Sequence, residues 1–231
     1  MNIKKLIKYS EYRNNSSIVE RMLPHLGDKA SLLDIGCAGG GLTLKYAEQI
    51  GVSSDRVRGV EIDEEYRAQA AEKFESISVD MEVQELPFGE ESFDVVVCNQ
   101  ILEHIKNINH FVAQVDRVTK KGGYVLFAVP NLAALHNRLG LLFGGQPRCI
   151  KLLTTHVRGF SPRALRDYLS LGNRFKIISV KGSGFYPWPS PISKFLARVF
   201  PSLSVYQAVL LQKTVEGDWD FWTKLEDESD C

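Results

Sequence analysis

The chain carries no surplus of either charge, few thiols and no apolar run long enough to cross a bilayer, and each shortage removes a class of function. Lysine plus arginine and aspartate plus glutamate both number 28. A balanced chain has no bulk field to attract nucleic acid or an acidic partner. Cys37, Cys98, Cys149 and Cys231 stand apart without C-x-x-C spacing. That pattern gives neither a zinc knuckle nor a disulfide framework, so free thiols in a reducing compartment and no metal site are expected. The early lysines are not followed by the apolar stretch of a secretion signal, and the expected location is the cytoplasm.

The balance hides local asymmetry. Lys4, Lys5 and Lys8 mark the start, while Asp218, Asp220, Glu226, Asp227, Glu228 and Asp230 crowd the end. A length of 231 residues suits one α/β core with additions better than two full domains. The expected division is a helical extension over 1–30, a core over 31–214 and an acidic tail over 215–231.

Apolar patterning within the core alternates between two periods. Ser31 to Ile35 is a short strand ending in glycines, and Leu42 to Ile50 is helical; Val57 to Ile62 is a second strand before Tyr66, Ala70 and Phe74 at helical spacing. Ile77, Val79, Met81 and Val83 fall on one face at period two, and Phe93 to Cys98 is apolar throughout, as a strand covered on both faces is. A helix through Ile108, Phe111, Val112 and Val115 then precedes the strand Tyr124 to Val129. Phe175 to Val180 and Val205 to Leu211 complete seven strands. The expected fold is α/β: a doubly wound, mostly parallel seven-stranded sheet with helices on both faces and an antiparallel last strand. Insertions are expected at about 131–160 and 182–204. Between them, Ser161 as N-cap and Pro162 at the first helical position start a helix.

Two features point to a ligand. In Leu32 to Gly41 small residues follow a strand and precede a helix, so a ligand can approach the backbone and the helix N-terminus. Such a turn also serves phosphate binding or merely reverses the chain. The second strand then ends in Gly59-Val60-Glu61-Ile62-Asp63, where Glu61 can accept hydrogen bonds from both hydroxyls of a ribose. Asp63 reads better as the cap of the next helix.

The segments Leu33 to Gly40, Gly59 to Glu61, Leu86 to Val96 and Leu102-Glu103-His104-Ile105 resemble, in order, the four signatures of class I S-adenosylmethionine-dependent methyltransferases. The resemblance covers about Ser31 to Asn131, and His156 to Gly172 is more weakly similar to small-molecule members of that superfamily. It implies a Rossmann-like fold and S-adenosylmethionine as cofactor. Asp34, Gly36, Cys37, Ala38 and Gly40 would hold its methionine part, and Glu61 with Ile62 beside it the ribose. Glu82 and Val83 would flank the adenine, and Asn99 would reach the reactive end. Ala38 departs from the glycine usual in the family, and Glu61 from the more frequent aspartate. Val83 fits core packing equally well.

His104 follows the fourth strand, where it is either a general base for an acceptor hydroxyl or an anchor for the next helix. His156 and Arg158 either contact a polar acceptor or lie on the surface. The expected reaction is methyl transfer to a small molecule, at oxygen, with a lipid-linked compound or a sugar as candidates. The alternatives are a cofactor-binding protein without turnover and a nicotinamide-dependent oxidoreductase, although the G-x-G-x-x-G pattern of the latter is absent. Nucleic acid is not expected, since neither a basic stripe nor an Asn-Pro-Pro-Tyr signature is present.

Ile192, Phe195, Leu196, Val199 and Phe200 make an apolar helix face with Lys194 and Arg198 on another. That face is expected against the core or a second subunit rather than a membrane surface. The basic helix through Ile3 to Lys8 is either a lid or a solvated end, and Trp219, Phe221 and Trp222 are expected in a frayed tail.

Overall fold

The computed structural model describes residues 15–225; the basic helix expected through Ile3 to Lys8 lies outside them. The chain alternates strand and helix, because apolar runs of strand length are punctuated by glycines and caps. Helix α1 is described over 15–22. The strands are β1 (Leu32–Ile35), β2 (Val57–Val60), β3 (Glu75–Ile77), β4 (Phe93–Asn99), β5 (Thr119–Pro130), β6 (Phe175–Ser183) and β7 (Tyr206–Lys213). The remaining helices are α2 (Gly41–Ile50), α3 (Glu64–Ala71), α4 (Ile108–Val118), α5 (Leu135–Leu142), α6 (Pro162–Leu169), α7 (Ser190–Val199) and α8 (Phe221–Lys224).

One seven-stranded sheet runs in the order β3-β2-β1-β4-β5-β7-β6. Strands β1 to β5 pair in parallel, and β7 is antiparallel to both β5 and β6. The order reverses between β1 and β4, and a doubly wound sheet opens its binding crevice at that reversal, outside the carboxyl ends of the strands. Both faces are covered. Leu33, Ile35, Val96, Cys98, Val125 and Phe127 belong to one core; Leu32, Val95, Val97, Leu126 and Ala128 to the other. Successive residues of a strand thus feed opposite cores, and this is why β4 reads as continuously apolar.

Three local departures from the expected elements have physical causes. The strand expected through Val83 is only Glu75–Ile77. Asp80 turns the chain: its side chain accepts from the Glu82 N–H at 3.0 Å, and its carbonyl from Gln84 at 2.8 Å. Val79 and Met81 are buried without a strand, which mimicked a period of two. Strand β5 starts before Gly122-Gly123 rather than after it, with a register shift against β4. A Cβ at Gly123 would lie 2.8 Å from the Lys120 carbonyl and 3.0 Å from that of Asp94, so the strand passes there only without a side chain.

Third, the tail is docked rather than frayed where it is described. Trp222 is fully buried beside Phe175 and Tyr168, and its Nε1–H donates to Asp116 at 2.9 Å.

Helix α6 forms as expected: the Ser161 hydroxyl accepts from the Ala164 N–H at 3.2 Å, Pro162 opens the helix, and Leu165 and Leu169 are buried. Helix α7 does not present its apolar face to the core. Small Ser193 and Ala197 face inward, while Ile192, Phe195 and Val199 are exposed. Leu141 and Leu142 in the last turn of α5, Phe143 just after it, and Leu152 and Leu153 in the following loop are exposed too. Among the described residues no helix is long and apolar enough to cross a membrane.

Candidate functional site

The crevice at the carboxyl ends of β1 and β4 holds a cleft of about 310 Å³. Its floor is the turn after β1, lined by Asp34, Gly36, Cys37, Ala38, Gly39 and Gly41; Asn99 from β4 and Leu42, Lys45 and Tyr46 from α2 form its walls. The turn is left-handed at three places: Gly36 at φ 80, Ala38 at φ 45 and Gly40 at φ 77. A Cβ at Gly40 would fall 2.8 Å from the Phe74 ring. Ala38, where glycine is usual, is held in its unfavourable conformation by a hydrogen bond from its N–H to Glu61 Oε2 at 2.9 Å. The other oxygen of Glu61 accepts from the Asp63 N–H at 3.0 Å. Glu61 therefore joins the ends of β1 and β2 and retains lone pairs for a ligand.

Asp34 is buried at the base of the cleft. Burial pushes its carboxyl up to about 7, against the lowering effect of the Thr43 hydroxyl that donates to it at 2.6 Å, and the charge of Glu61 adds to the rise. A carboxylate so short of counter-charge is suited to a cationic ligand group. The N-terminus of α2 and Lys45 on the cleft wall favour an anionic one. An amino acid end needs that pair, and a nucleoside end needs Glu61 with apolar surface nearby. Ile62 next to Glu61 and Val83 are 63% and 74% exposed, so both are available to such a ligand; Val83 is thus not a core residue. These features fit S-adenosylmethionine.

Other expected residues are engaged differently. The Glu82 carboxylate accepts from the N–H groups of Lys106 and Asn107 at 2.8 and 3.0 Å, fastening the loop before α4. The Asn99 side chain donates to the Tyr46 hydroxyl at 2.9 Å and accepts from Asn15 of α1 at 3.2 Å. The Cys37 thiol faces away, near Ser76, and burial pushes it up to about 12, so only its backbone is suited to a ligand.

Next to Asn99 the chain turns at Gln100, a non-glycine residue at φ 60. Gln100 lines a second cavity of about 410 Å³, walled by Asn131, His136, Arg148, His156, Tyr186 and Tyr206 among others. Its Nε2 is buried without a hydrogen-bond partner among the described residues. Consecutive residues thus face two cavities. His156 lies on the wall of the second, whereas His104 packs edge-on behind it, ring centroids 4.7 Å apart. Burial lowers the pKa of His104, and the adjacent His156 contributes to that lowering, so the ring is neutral at pH 7. Arg158 does not face the cavity: its guanidinium donates to the Lys106 carbonyl at 2.7 Å. Arg148 occupies the wall instead, 4.9 Å over the Tyr186 ring. Gln100, Arg148 and Tyr186 had no sequence signal, because three separate segments bring them together.

Residues 33–127 match the family model described as a methyltransferase domain. The human mitochondrial ubiquinone biosynthesis O-methyltransferase is 30% identical over 185 residues, covering 71% of this chain and 47% of that protein. The ubiquinone biosynthesis O-methyltransferase of Thiobacillus denitrificans is 31% identical over 159 residues, covering 65% of this chain and 60% of its own length. The chain therefore spans about half to three fifths of these relatives. An S-adenosylmethionine-dependent methyltransferase structure from Mesorhizobium loti shares the fold, with a TM-score of 0.60 at 18% identity over 85% of this chain and 96% of that one. The nicotinamide alternative finds no support in these matches. With its four ordered signatures, its seven-stranded sheet and its matched domain, the chain belongs to the class I S-adenosylmethionine-dependent methyltransferase family.

Proposed function

We propose that the chain transfers a methyl group from S-adenosylmethionine to an oxygen of a small acceptor that has a polar head and a lipid-soluble remainder. The carrying observation is the junction of the two cavities at Asn99 and Gln100. Bound in the first, S-adenosylmethionine supplies an activated methyl group for in-line displacement. The protein's part is position. Lys45 and the α2 N-terminus hold the carboxylate of the methionine part, Asp34 its ammonium, and Glu61 the ribose. Ile62 and Val83 cover the adenine, while Glu82 and Asn99 brace the walls. In the second cavity the unpartnered Gln100 Nε2 and Arg148 orient a polar acceptor, and the His104–His156 pair accepts the hydroxyl proton. Arg158 acts from behind by fixing the loop at Lys106. Attack by oxygen rests on what the ubiquinone relatives are named for.

We read residues 131–160 and 182–204 as acceptor-side insertions on the 31–214 core, since they supply His136, Arg148, His156 and Tyr186. The unpaired thiols of Cys37, Cys98 and Cys149 support a reducing compartment such as the cytoplasm. Incubation with methyl-labelled S-adenosylmethionine and simple catechols tests the reaction: labelled methyl ether is expected. Label on nitrogen acceptors alone would contradict oxygen transfer.

The lipid-soluble remainder is inferred from the surface around the second cavity. Residues 131–160 carry Arg138, Arg148, Lys151 and Arg158, and residues 182–204 carry Lys194 and Arg198, with no acid in either stretch. Here also lie the exposed Phe143, Leu152, Leu153 and Phe195, at 84%, 95%, 100% and 65% exposure. Cations beside projecting apolar side chains suit an anionic lipid surface. Flotation with phosphatidylglycerol-containing vesicles should carry the chain up, and Phe195→Ser should reduce the bound fraction several-fold. Equal flotation with purely zwitterionic vesicles would remove the electrostatic part of the reading, and no flotation would remove the whole.

Asp34 makes donor binding sensitive to pH. Its carboxyl is raised to about 7, and an ammonium is held by the charged form, so binding lowers that pKa and expels a proton. The affinity for S-adenosylhomocysteine should rise with pH up to about 7 and level off above it. Titration at a series of pH values checks this, and Asp34→Asn should give weak binding without the slope.

A further inference from the structure

Glu103 breaks the rule that buried carboxylates are paired. It lies in the short 3-10 turn Leu102–His104 with 2% of its surface exposed, and neither of its carboxylate oxygens has a hydrogen-bond partner among the described residues. Its backbone carbonyl accepts from the N–H groups of Val157 and Arg158 at 2.9 and 3.3 Å, which draws the late loop over the turn and seats His156 against His104. One carboxylate oxygen and one ring nitrogen from each histidine then lie within 4.8 Å of one another.

Each ring is tethered through Nδ1. His104 Nδ1 is 3.2 Å from the Thr155 carbonyl, and His156 Nδ1 is 2.6 Å from that of Cys149. A carbonyl only accepts, so Nδ1 carries the hydrogen in both rings and the second nitrogen keeps its lone pair. Imidazoles anchored to backbone carbonyls, facing a buried carboxyl without a hydrogen-bond partner, are the surroundings that metal-ligating histidines have.

We propose that Glu103, His104 and His156 form a binding site for a divalent first-row transition-metal ion. Two imidazoles and one carboxylate suit zinc, manganese or iron; calcium and magnesium take oxygen ligands, and no thiolate is present to select copper(I). A tetrahedral zinc would draw the three donor atoms to roughly 3.3 Å apart, a contraction of about 1.5 Å at most from the spacing seen here. Three protein ligands leave a position for water or an acceptor oxygen, and His156 already belongs to the wall of the acceptor cavity. Binding of the ion stands independently of methyl transfer; its use on the acceptor rests on that reading, with the bound ion replacing the free histidine pair, whose second nitrogens it occupies, in activating the acceptor oxygen. The four dispersed cysteines gave no sign of such a site, because its ligands come from two segments far apart in sequence that only the fold brings together.

The test is titration of the metal-stripped full chain with cobalt(II), followed by displacement with zinc. Visible absorption bands of bound cobalt should grow to one ion per chain and be displaced by zinc. Glu103→Gln keeps shape and removes charge, and it should weaken cobalt binding at least about 100-fold, as should His156→Ala. Circular dichroism and affinity for S-adenosylhomocysteine should remain as in the parent, which separates loss of this site from loss of the donor site. Should Glu103→Gln not fold, His156→Ala, on a loop, decides. No bands from the parent, or bands of parental affinity in a folded variant, overturn the proposal.

Discussion

Asp116→Ala is expected to destabilise the chain by about 3–5 kcal/mol, a large share of what holds a domain of this size folded. Asp116 is fully buried at the end of α4 and serves three partners: Arg174 Nε, Trp222 Nε1 at 2.9 Å, and Lys213 Nζ at 3.5 Å. Arg174 and Lys213 are themselves 4% and 1% exposed. Alanine would remove the central anion and leave two buried cations with one half-buried carboxylate, Glu91, 3.3 Å from Lys213. Arginine cannot shed its proton, whereas burial already lowers the pKa of Lys213. The loss would appear first in the tail, because Trp222 keeps its place partly through Asp116. Urea unfolding of parent and variant measures the effect, and a red shift of tryptophan emission in the folded variant would mark the released tail. A change below about 1 kcal/mol would mean that the cluster contributes little and that Trp222 docks through its ring alone.

Glu61→Ala should weaken binding of S-adenosylhomocysteine by about 2–3 kcal/mol, roughly 100-fold, while leaving the chain folded. Two contributions combine. The carboxylate accepts N–H bonds from Ala38 and Asp63, at 2.9 and 3.0 Å, and keeps further lone pairs for a ligand. Removing it withdraws the proposed ribose contacts and frees Ala38 from a left-handed conformation that a non-glycine residue keeps only when constrained. Glu61→Gln keeps an acceptor oxygen and should fall between the two. Parental affinity in the folded alanine variant would contradict the ribose assignment. Calorimetric titration of the three proteins gives the comparison.

What the sequence made readable was local or periodic. Strands β1, β4 and β5 announce themselves because alternate residues enter two cores, and the turn after β1 because three left-handed residues need small side chains. Ser161-Pro162 marks the start of α6 for an equally local reason. The misreadings are long-range. Val79 and Met81 are apolar because they are buried under a turn, and Asp80 ends the strand in a way that period counting does not detect. Trp222 looked like part of a solvated acidic end until its partner Asp116 was seen. Arg148 and Lys151, rather than Arg158, line the second cavity, since Arg158 is spent on the Lys106 carbonyl. The apolar face of α7 reads as packed on the core or on a second subunit; the core is not what it meets, because Ser193 and Ala197 are small enough to face inward and leave Ile192 and Phe195 outside. Sequence patterns report which residues are apolar; only topology reports what they meet.

The most direct measurement is calorimetric titration of the full chain with S-adenosylmethionine, S-adenosylhomocysteine and nicotinamide adenine dinucleotide. Saturable binding of the two adenosyl sulfur compounds at one site per chain, with none of the dinucleotide, is predicted. A folded chain that binds neither sulfur compound would contradict the donor site on which the proposed methyl transfer depends.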